Sequence, residues 1–426
     1  MALNKHLLPL FFLLCLLFPG TGRSQFISKS KAWIEWLCSD SLYGRGYVNQ
    51  GVNRAADQLI QCFDSIGLQP VAPEYVQHFQ FPIVSYASPI RLSIDDRMLK
   101  TGIDYLIEAG SPSVNHEFAL RHINMKDSME RFRLFNQIRQ GIPDDTVWVL
   151  HHYKLRKSAV YDSLRQYQRT PALVVATEDQ KMTHGLEQTL RRYPALTIMD
   201  SVMGSATRIK LQYDAMEEKS FECRNLVGFF PGLRHDSAIV FTAHYDHLGM
   251  LGPGAMFPGA SDNASGVSMV LQLASYYKKH RPPMDMYFIL FSGEEAGLMG
   301  SHYFVQHPLF DLKKIKLLMN LDIMGDAEKG IVIVNGVERK EEAELFSTLN
   351  EQLELLPEVR FRTNARNSDH YYFTEAGVPA VFIYSNGGPG FYHDVFDLPE
   401  NLSMKNYRKV FILLKSVVSE LAKQGR

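Results

Sequence analysis

The chain has 426 residues, 46% hydrophobic and 21% charged, with a formal net charge of −1. That length accommodates one large domain plus a smaller one. Lys and Arg are scattered and the charge balance is near neutral, which excludes nucleic acid as an expected partner, because phosphate binding calls for a basic surface.

At the N-terminus, Lys5 and His6 precede the apolar stretch Leu7–Phe18, and small residues follow at Gly20, Gly22 and Ser24. This pattern predicts a signal peptide over residues 1–24 and a secreted or periplasmic protein. The stretch is shorter than the roughly 20 apolar residues that span a bilayer, and no membrane span is expected in the mature chain. Leu14 stands before Cys15 where lipid attachment favours a small residue, so a lipoprotein is not expected. Beyond the signal remain Cys38, Cys62 and Cys223, an odd number that cannot all pair within the chain. Cys38 and Cys62 lie in adjacent helical patterns, open to a disulfide or, as preferred here, to burial as small apolar side chains.

Helix-type spacing marks Ile27–Leu37 and Val52–Ile66, the second ending at Gly67. From about Tyr75 to Ala215 the texture changes to short β-like runs at Arg91–Ile94, Val147–Leu150, Ala172–Ala176, Leu196–Met199 and Ile209–Tyr213. The charged stretch Asp127–Arg139 among them reads as a solvated helix. From Asn225 onward strands and helices alternate: strand Ala238–Ala243, helix Ala264–Lys278, strand Tyr287–Phe291, helix Leu298–His307, strand Ile315–Leu321, helix Glu341–Leu355, strand Ala380–Tyr384 and helix Tyr407–Gln424. Continuous apolar strands between amphipathic helices predict an α/β fold whose mainly parallel mixed sheet is covered by helices on both faces. The expected division is residues 25–75 as the N-terminal part of the main domain, 76–216 as a smaller inserted β-rich domain, and 217–426 as the catalytic domain.

In such a sheet, ligands bind at the carboxyl ends of strands, and ionisable residues gather there. The first of these strands runs into His244-Tyr245-Asp246-His247, followed by a loop carrying Asp262. The next runs into Glu294-Glu295, the third into Asp322, and a late loop holds His393 and Asp397. Singly, each has an ordinary reading: Asp262 as a helix N-cap, Glu294-Glu295 as a solvated turn, a loop histidine as a surface group. Together, two histidines, two aspartates and a glutamate form an imidazole and oxygen donor set that suits zinc. Five ligands are too many for one tetrahedral ion with an open position. With one bridging carboxylate they serve two ions about 3.5–4 Å apart, leaving Glu294 as an unligated carboxylate beside them.

The strings Ala243–Gly249 (AHYDHLG), Gly259–Gly266 (GASDNASG), Phe291–Gly297 (FSGEEAG), Asn320–Gly325 (NLDIMG), Ser368–His370 (SDH) and Tyr392–Asp397 (YHDVFD) follow one another in the chain. Together they resemble the co-catalytic di-zinc aminopeptidase family, which also includes glutamate carboxypeptidases and glutaminyl cyclases. Leu42–Gly46, Ile66–Pro70 and Asn225–Gly228 extend the resemblance towards secreted members, and the insert looks like their protease-associated module. The resemblance implies a zinc-exopeptidase-like fold, two Zn²⁺ ions and a peptide substrate. It implies that Asp262 bridges the metals, that His244 and Asp322 complete one site and Glu295 and His393 the other, and that Glu294 is the general base. An aminopeptidase is the leading expectation, with carboxypeptidase, dipeptidase or one-zinc glutaminyl cyclase as alternatives. A non-catalytic receptor module would be expected to have lost ligands.

Around this set, Asp246 lies two residues from His244 and is expected to orient its imidazole. Asp397 is expected to do the same for His393. His247 and His370 read equally as groups behind the ligands or as ordinary loop residues. Tyr384 and Tyr392 are candidate oxyanion donors, and Asn386–Gly390 a wall of the substrate pocket.

Overall fold

A computed structural model describes residues 22–140, 146–151, 173–177 and 181–423. The expected signal peptide up to residue 21, with Cys15, lies outside the described residues, as does Ala172. A helix already runs over Gly22–Leu37, and no helix among the described residues is long and apolar enough to cross a membrane.

The chain enters through β1 (Gln69–Pro70) and β2 (Val76–Ser85). It continues through β3 (Arg91–Ile94), β4 (Arg97–Met98), β5 (Tyr105–Ile107), β6 (Val114–Asn124), β7 (Thr146–His151), β8 (Leu173–Thr177), β9 (Ala195–Met199) and β10 (Arg208–Tyr213). Then come β11 (Met216–Phe230), β12 (Ala238–His244), β13 (Gly249–Met250), β14 (Met256–Phe257), β15 (Asp285–Phe291), β16 (Ile315–Leu321), β17 (Ile331–Val334), β18 (Val359–Arg362) and β19 (Ala380–Ser385).

A nine-stranded sheet has the order β1-β11-β15-β12-β16-β19-β17-β18, with β2 also on β11. Its centre, β15-β12-β16-β19, is parallel, and the flanking pairings of β11 with β15 and of β17 with β19 are antiparallel. Side chains alternate across the pleat. Ile239, Phe241 and Ala243 join the core under the helices Gly22–Leu37, Gly51–Ile66, Ser265–Lys279 and Tyr407–Lys423. Val240 joins the opposite core with Phe304 and Phe373, from the helices Met299–Gln306 and His370–Glu375. Coverage on both faces is why these strands read as unbroken apolar runs. The edge pair β17 and β18 was not predicted: β18 is largely exposed and carries two arginines, so it lacks the apolar run that marks its neighbours.

From β12 the chain crosses to β15 on one side, then returns to β16 on the other. This reversal places a topological switch point at the carboxyl end of β12, where α/β sheets hold their ligands.

A second, eight-stranded sheet has the order β4-β3-β10-β6-β7-β8-β9-β5. Residues 76–85, assigned from the sequence to the insert, hydrogen-bond to β11 within the larger sheet, so the second sheet's own strands fall between Arg91 and Tyr213. Its core, including Leu92, Ile94, Tyr105, Ile209 and Leu211, continues into Leu248, Leu251 and Phe257 of the main domain, with Val395 packed against it. The stretch expected as a solvated helix forms the helix Ser128–Gln140. Cys38, Cys62 and Cys223 are buried and not joined in a disulfide, in keeping with small apolar packing.

Candidate metal centre

Each expected ligand sits where backbone leaves the large sheet. His244 is the last residue of β12, Asp322 follows β16, and Glu294 and Glu295 form the turn after β15. Asp262 lies in the loop ahead of helix Ser265–Lys279, and His393 in the late loop at φ 56°.

Asp262 does not cap that helix. Asn263 does the local work: its Oδ1 accepts the Gly266 N–H at 2.9 Å and the Ile323 N–H at 3.2 Å, and its Nδ2 donates to the Leu321 carbonyl at 3.0 Å. The Asp262 carboxylate is thereby left to face the two histidines. Before it, Gly259 has φ +61°, and a Cβ there would stand 2.5 Å from the His247 ring and 2.2 Å from the Asp262 carbonyl, so only glycine fits.

Two groups of converging donors share Asp262, and His244, Glu294 and Glu295 form a third that does not. His244 Nε2 is 3.3 Å from Asp262 Oδ1 and 3.3 Å from Asp322 Oδ1. His393 Nε2 is 3.2 Å from Asp262 Oδ2 and 3.0 Å from Glu295 Oε2. His247 Nδ1 meets Glu295 Oε1 at 2.7 Å, so His247 belongs to the same cluster, a placement the sequence left open.

The tautomers are set from behind. His244 Nδ1 faces the Asp246 carbonyl at 3.2 Å and His393 Nδ1 the His184 carbonyl at 2.9 Å. A carbonyl only accepts, so each Nδ1 carries a proton and each Nε2 is the nitrogen turned to the centre, where it could serve as a metal ligand once deprotonated. Despite their closeness to carboxylates, His393 Nε2, His247 Nε2 and Asp322 Oδ1 are buried with no hydrogen-bond partner. Buried polar atoms normally find partners. Ligands about 2.0–2.1 Å from a tetrahedral zinc lie roughly 3.3 Å from one another, and the donor separations here match that spacing. The residues fit zinc.

Further groups lock this arrangement. The Asp246 carboxylate accepts the N–H of Glu294 at 3.2 Å, the N–H of Glu295 at 3.3 Å and the Tyr47 hydroxyl at 3.2 Å, so it sets the Glu-Glu turn as well as standing near His244. A buried relay runs from Thr242 to Asn320 (2.7 Å), from Asn320 to Ser368 (2.7 Å) and from Ser368 to Asp322 Oδ2 (2.8 Å). Fully buried Arg45 donates to the carbonyls of Leu37 (2.8 Å), Tyr245 (2.8 Å), Pro258 (2.7 Å) and Gly259 (2.8 Å). It therefore ties the end of β12 to the Asp262 loop. The sequence signal for it was an arginine between Gly44 and Gly46, quoted above but given no role.

Electrostatics separate the two glutamates. Burial, with Glu295, Asp322 and Asp369 nearby, holds the Glu294 carboxyl well above the usual range, against the opposing pull of His244. Burial would raise Glu295 too, but His393 and His247 outweigh it and bring Glu295 down to about 2. Burial pushes Asp246 and Asp397 up to about 6. One carboxyl that favours holding a proton thus lies beside another that is firmly ionised.

Asp397 departs from its expected role. Its carboxylate accepts the Ser261 N–H at 2.9 and 3.1 Å and the Asp262 N–H at 3.0 Å, while His393 is oriented by His184. The turn after His393 swings Asp397 towards the Asp262 loop. Tyr384 accepts from Arg362 at 3.0 Å, whereas the half-exposed Tyr392 ring stacks on His393 at 3.8 Å. His370 is buried, with Nε2 at 3.2 Å from Asn364 Oδ1. In the Asn386–Gly390 loop, the Gly390 carbonyl accepts from Lys181.

Residues 225–418 match the family described as peptidase family M28. Aminopeptidase YwaD of Bacillus subtilis (strain 168) is 29% identical over 215 residues, which are 48% of this chain and 46% of the relative. A probable leucine aminopeptidase of Trichophyton verrucosum is 26% identical over 217 residues, 47% of this chain and 57% of the relative. These matches span about half the length of the curated relatives. Among solved structures, a zinc aminopeptidase from Bacillus subtilis superposes with TM-score 0.69 at 18% identity, over 92% of this chain and 94% of that one. An aminopeptidase from Aneurinibacillus sp. strain AM-1 gives TM-score 0.64 at 19% identity, over 92% and 93%. At these identities the likeness is one of fold, and it takes in the insert as well as the larger sheet.

Proposed function

Residues 225–418 belong to peptidase family M28, and on that premise we propose that the protein is a zinc-dependent exopeptidase, an aminopeptidase that removes N-terminal residues from peptides. The observation that carries this reading is the convergence of His244, Asp262, Asp322, Glu295 and His393 donors at 3.0–3.3 Å, with the Nε2 atoms of both histidines facing inward. His244 and Asp322 would hold one ion and Glu295 and His393 the other, with Asp262 reaching both. Zinc bound there would supply Lewis acidity for activating a water and polarising the scissile carbonyl.

The protein's own groups do the rest. Glu294 makes no ligand contact in this assignment and stands beside Glu295. It takes the proton from the attacking water and returns it to the leaving amine. Asp246 fixes the turn that presents Glu294, and it does so through backbone amides, leaving the side chain free to work. Residues 1–24 are a signal peptide in this reading, 25–75 and 217–426 the peptidase domain together with β2 (76–85) laddered onto it, and the remainder up to 216 the insert. The protein is accordingly secreted or periplasmic.

The test is the zinc content of the purified protein together with hydrolysis of aminoacyl chromogenic substrates, with and without chelator. Two zinc per chain and chelator-sensitive release are expected. Two metals with no release from any aminoacyl substrate would overturn the aminopeptidase assignment, and a single zinc would overturn the bridged pair.

A further inference from the structure

The insert reaches the centre through one short segment. The His184 N–H donates to the His393 carbonyl at 3.0 Å, and the His184 carbonyl accepts His393 Nδ1 at 2.9 Å, so one residue holds both the main chain and the imidazole of His393. Four residues on, Gln188 Nε2 donates to the Ala296 carbonyl at 2.8 Å, directly after Glu295. His184 is 4% exposed, and its ring stacks on Phe257 at 5.0 Å. The segment is itself anchored, since the Glu187 carbonyl accepts the Val84 N–H at 2.9 Å and the Glu187 carboxylate accepts Arg191 at 2.8 Å. The partners of His244 and Asp322 are different in origin: Asp246, Ser368 and the Ile383 carbonyl all belong to the larger sheet and its loops.

We propose that the segment Thr183–Gln188 is a positioning device for the Glu295–His393 half of the metal centre, so that one of the two metal sites depends on the insert and the other does not. This rests on the two-metal reading above. His184 and Gln188 act through the ligands: one fixes the tautomer and the swing of His393, the other the peptide that follows Glu295. Groups of this kind behind a ligand are worth about 10–100-fold in metal affinity.

The experiment is titration of the full-length, zinc-stripped protein with Zn²⁺ against a chromophoric chelator, which resolves two affinities. Gln188→Leu, which deletes the donor to the Ala296 carbonyl, should weaken one affinity about 10–100-fold and leave the other unchanged, whereas His184→Ala keeps both main-chain bonds to His393, removes only the ring that pins the segment on Phe257, and should weaken the same site by a smaller factor. His184→Phe keeps a flat ring against Phe257 and should restore the lost affinity. In a chain that already carries His393→Ala, His184→Ala should have no further effect, because the group it positions is gone. Thermal unfolding of the zinc-free variants reports whether they fold, and Gln188→Leu carries the test if His184→Ala does not. Equal weakening of both affinities, or two unchanged affinities in both variants, would overturn the proposal. A single zinc in the unsubstituted chain would overturn the two-metal reading and this inference with it.

Discussion

The carboxylate of Asp397 accepts the backbone N–H of Asp262 at 3.0 Å, across 135 residues of chain. A late-loop acid thus fixes the backbone of the residue proposed to bridge the metals. Asp397→Ala leaves the amides of Ser261 and Asp262 without their acceptor, in a buried setting. We expect a stability loss of about 1–3 kcal/mol by denaturant unfolding. Zinc affinity should fall about 10–100-fold by chelator competition, with both ions affected because Asp262 serves both. Unchanged affinity for either ion would contradict that shared role.

Glu294→Gln separates base from ligand. The amide keeps the size and the turn but cannot take a proton, so zinc content should stay at its original value. The rate should fall by about 10²–10⁴-fold in kcat, which is the usual worth of a general base. Metal analysis alongside steady-state kinetics checks both halves, and a variant that turns over normally removes Glu294 from the role.

Asp262→Ala should do the opposite, losing both metals together, because one carboxylate approaches both His244 and His393. Metal analysis after dialysis reads this directly. Retention of a full complement of zinc would mean that the bridge lies elsewhere.

Arg45→Met tests the clamp on four backbone carbonyls. A buried methionine fills the volume but leaves those acceptors unpaired, at a cost of about 3 kcal/mol or more in unfolding free energy. Arg45→Lys should recover only part of it, since an ammonium lacks the planar fork that spans several acceptors at once. Equal stability of all three proteins would show that solvent or rearrangement satisfies those carbonyls.

Chain order and strand ends made much of this architecture legible. Ile315–Leu321 is recoverable as a strand to the residue, because burial on both faces demands a largely apolar run, interrupted here only by Lys316 and Asn320. The convergence of the proposed ligands was legible for a related reason: a parallel strand delivers its next residues to the carboxyl edge, so His244, Glu295 and Asp322 meet there whatever the intervening lengths. Less local facts were hidden. Val76–Ser85 alternates too many polar residues to betray its place beside β11. The four-residue spacing of His393 and Asp397 suggested contact, but the turn between them sends the carboxylate to another loop. His184 and Gln188 act where the insert meets the main domain, partly through main-chain atoms, and nothing in their local pattern distinguishes them from surface residues.

The insert joins the larger sheet through β2 and β11, paired antiparallel from Val76 and Leu226 out to Ser85 and Met216, with one irregularity between Glu218 and Phe221. Domains mounted on two separate coil linkers swing freely, and relative motion is their default. A laddered ribbon is a stiff beam instead: β11, with 15 residues, reaches about 50 Å along its length. Torque on the insert is therefore passed to β15, the strand that ends at the Glu-Glu turn. A single endotherm in scanning calorimetry, with both sheets melting as one unit, is the thermal signature of such a joint.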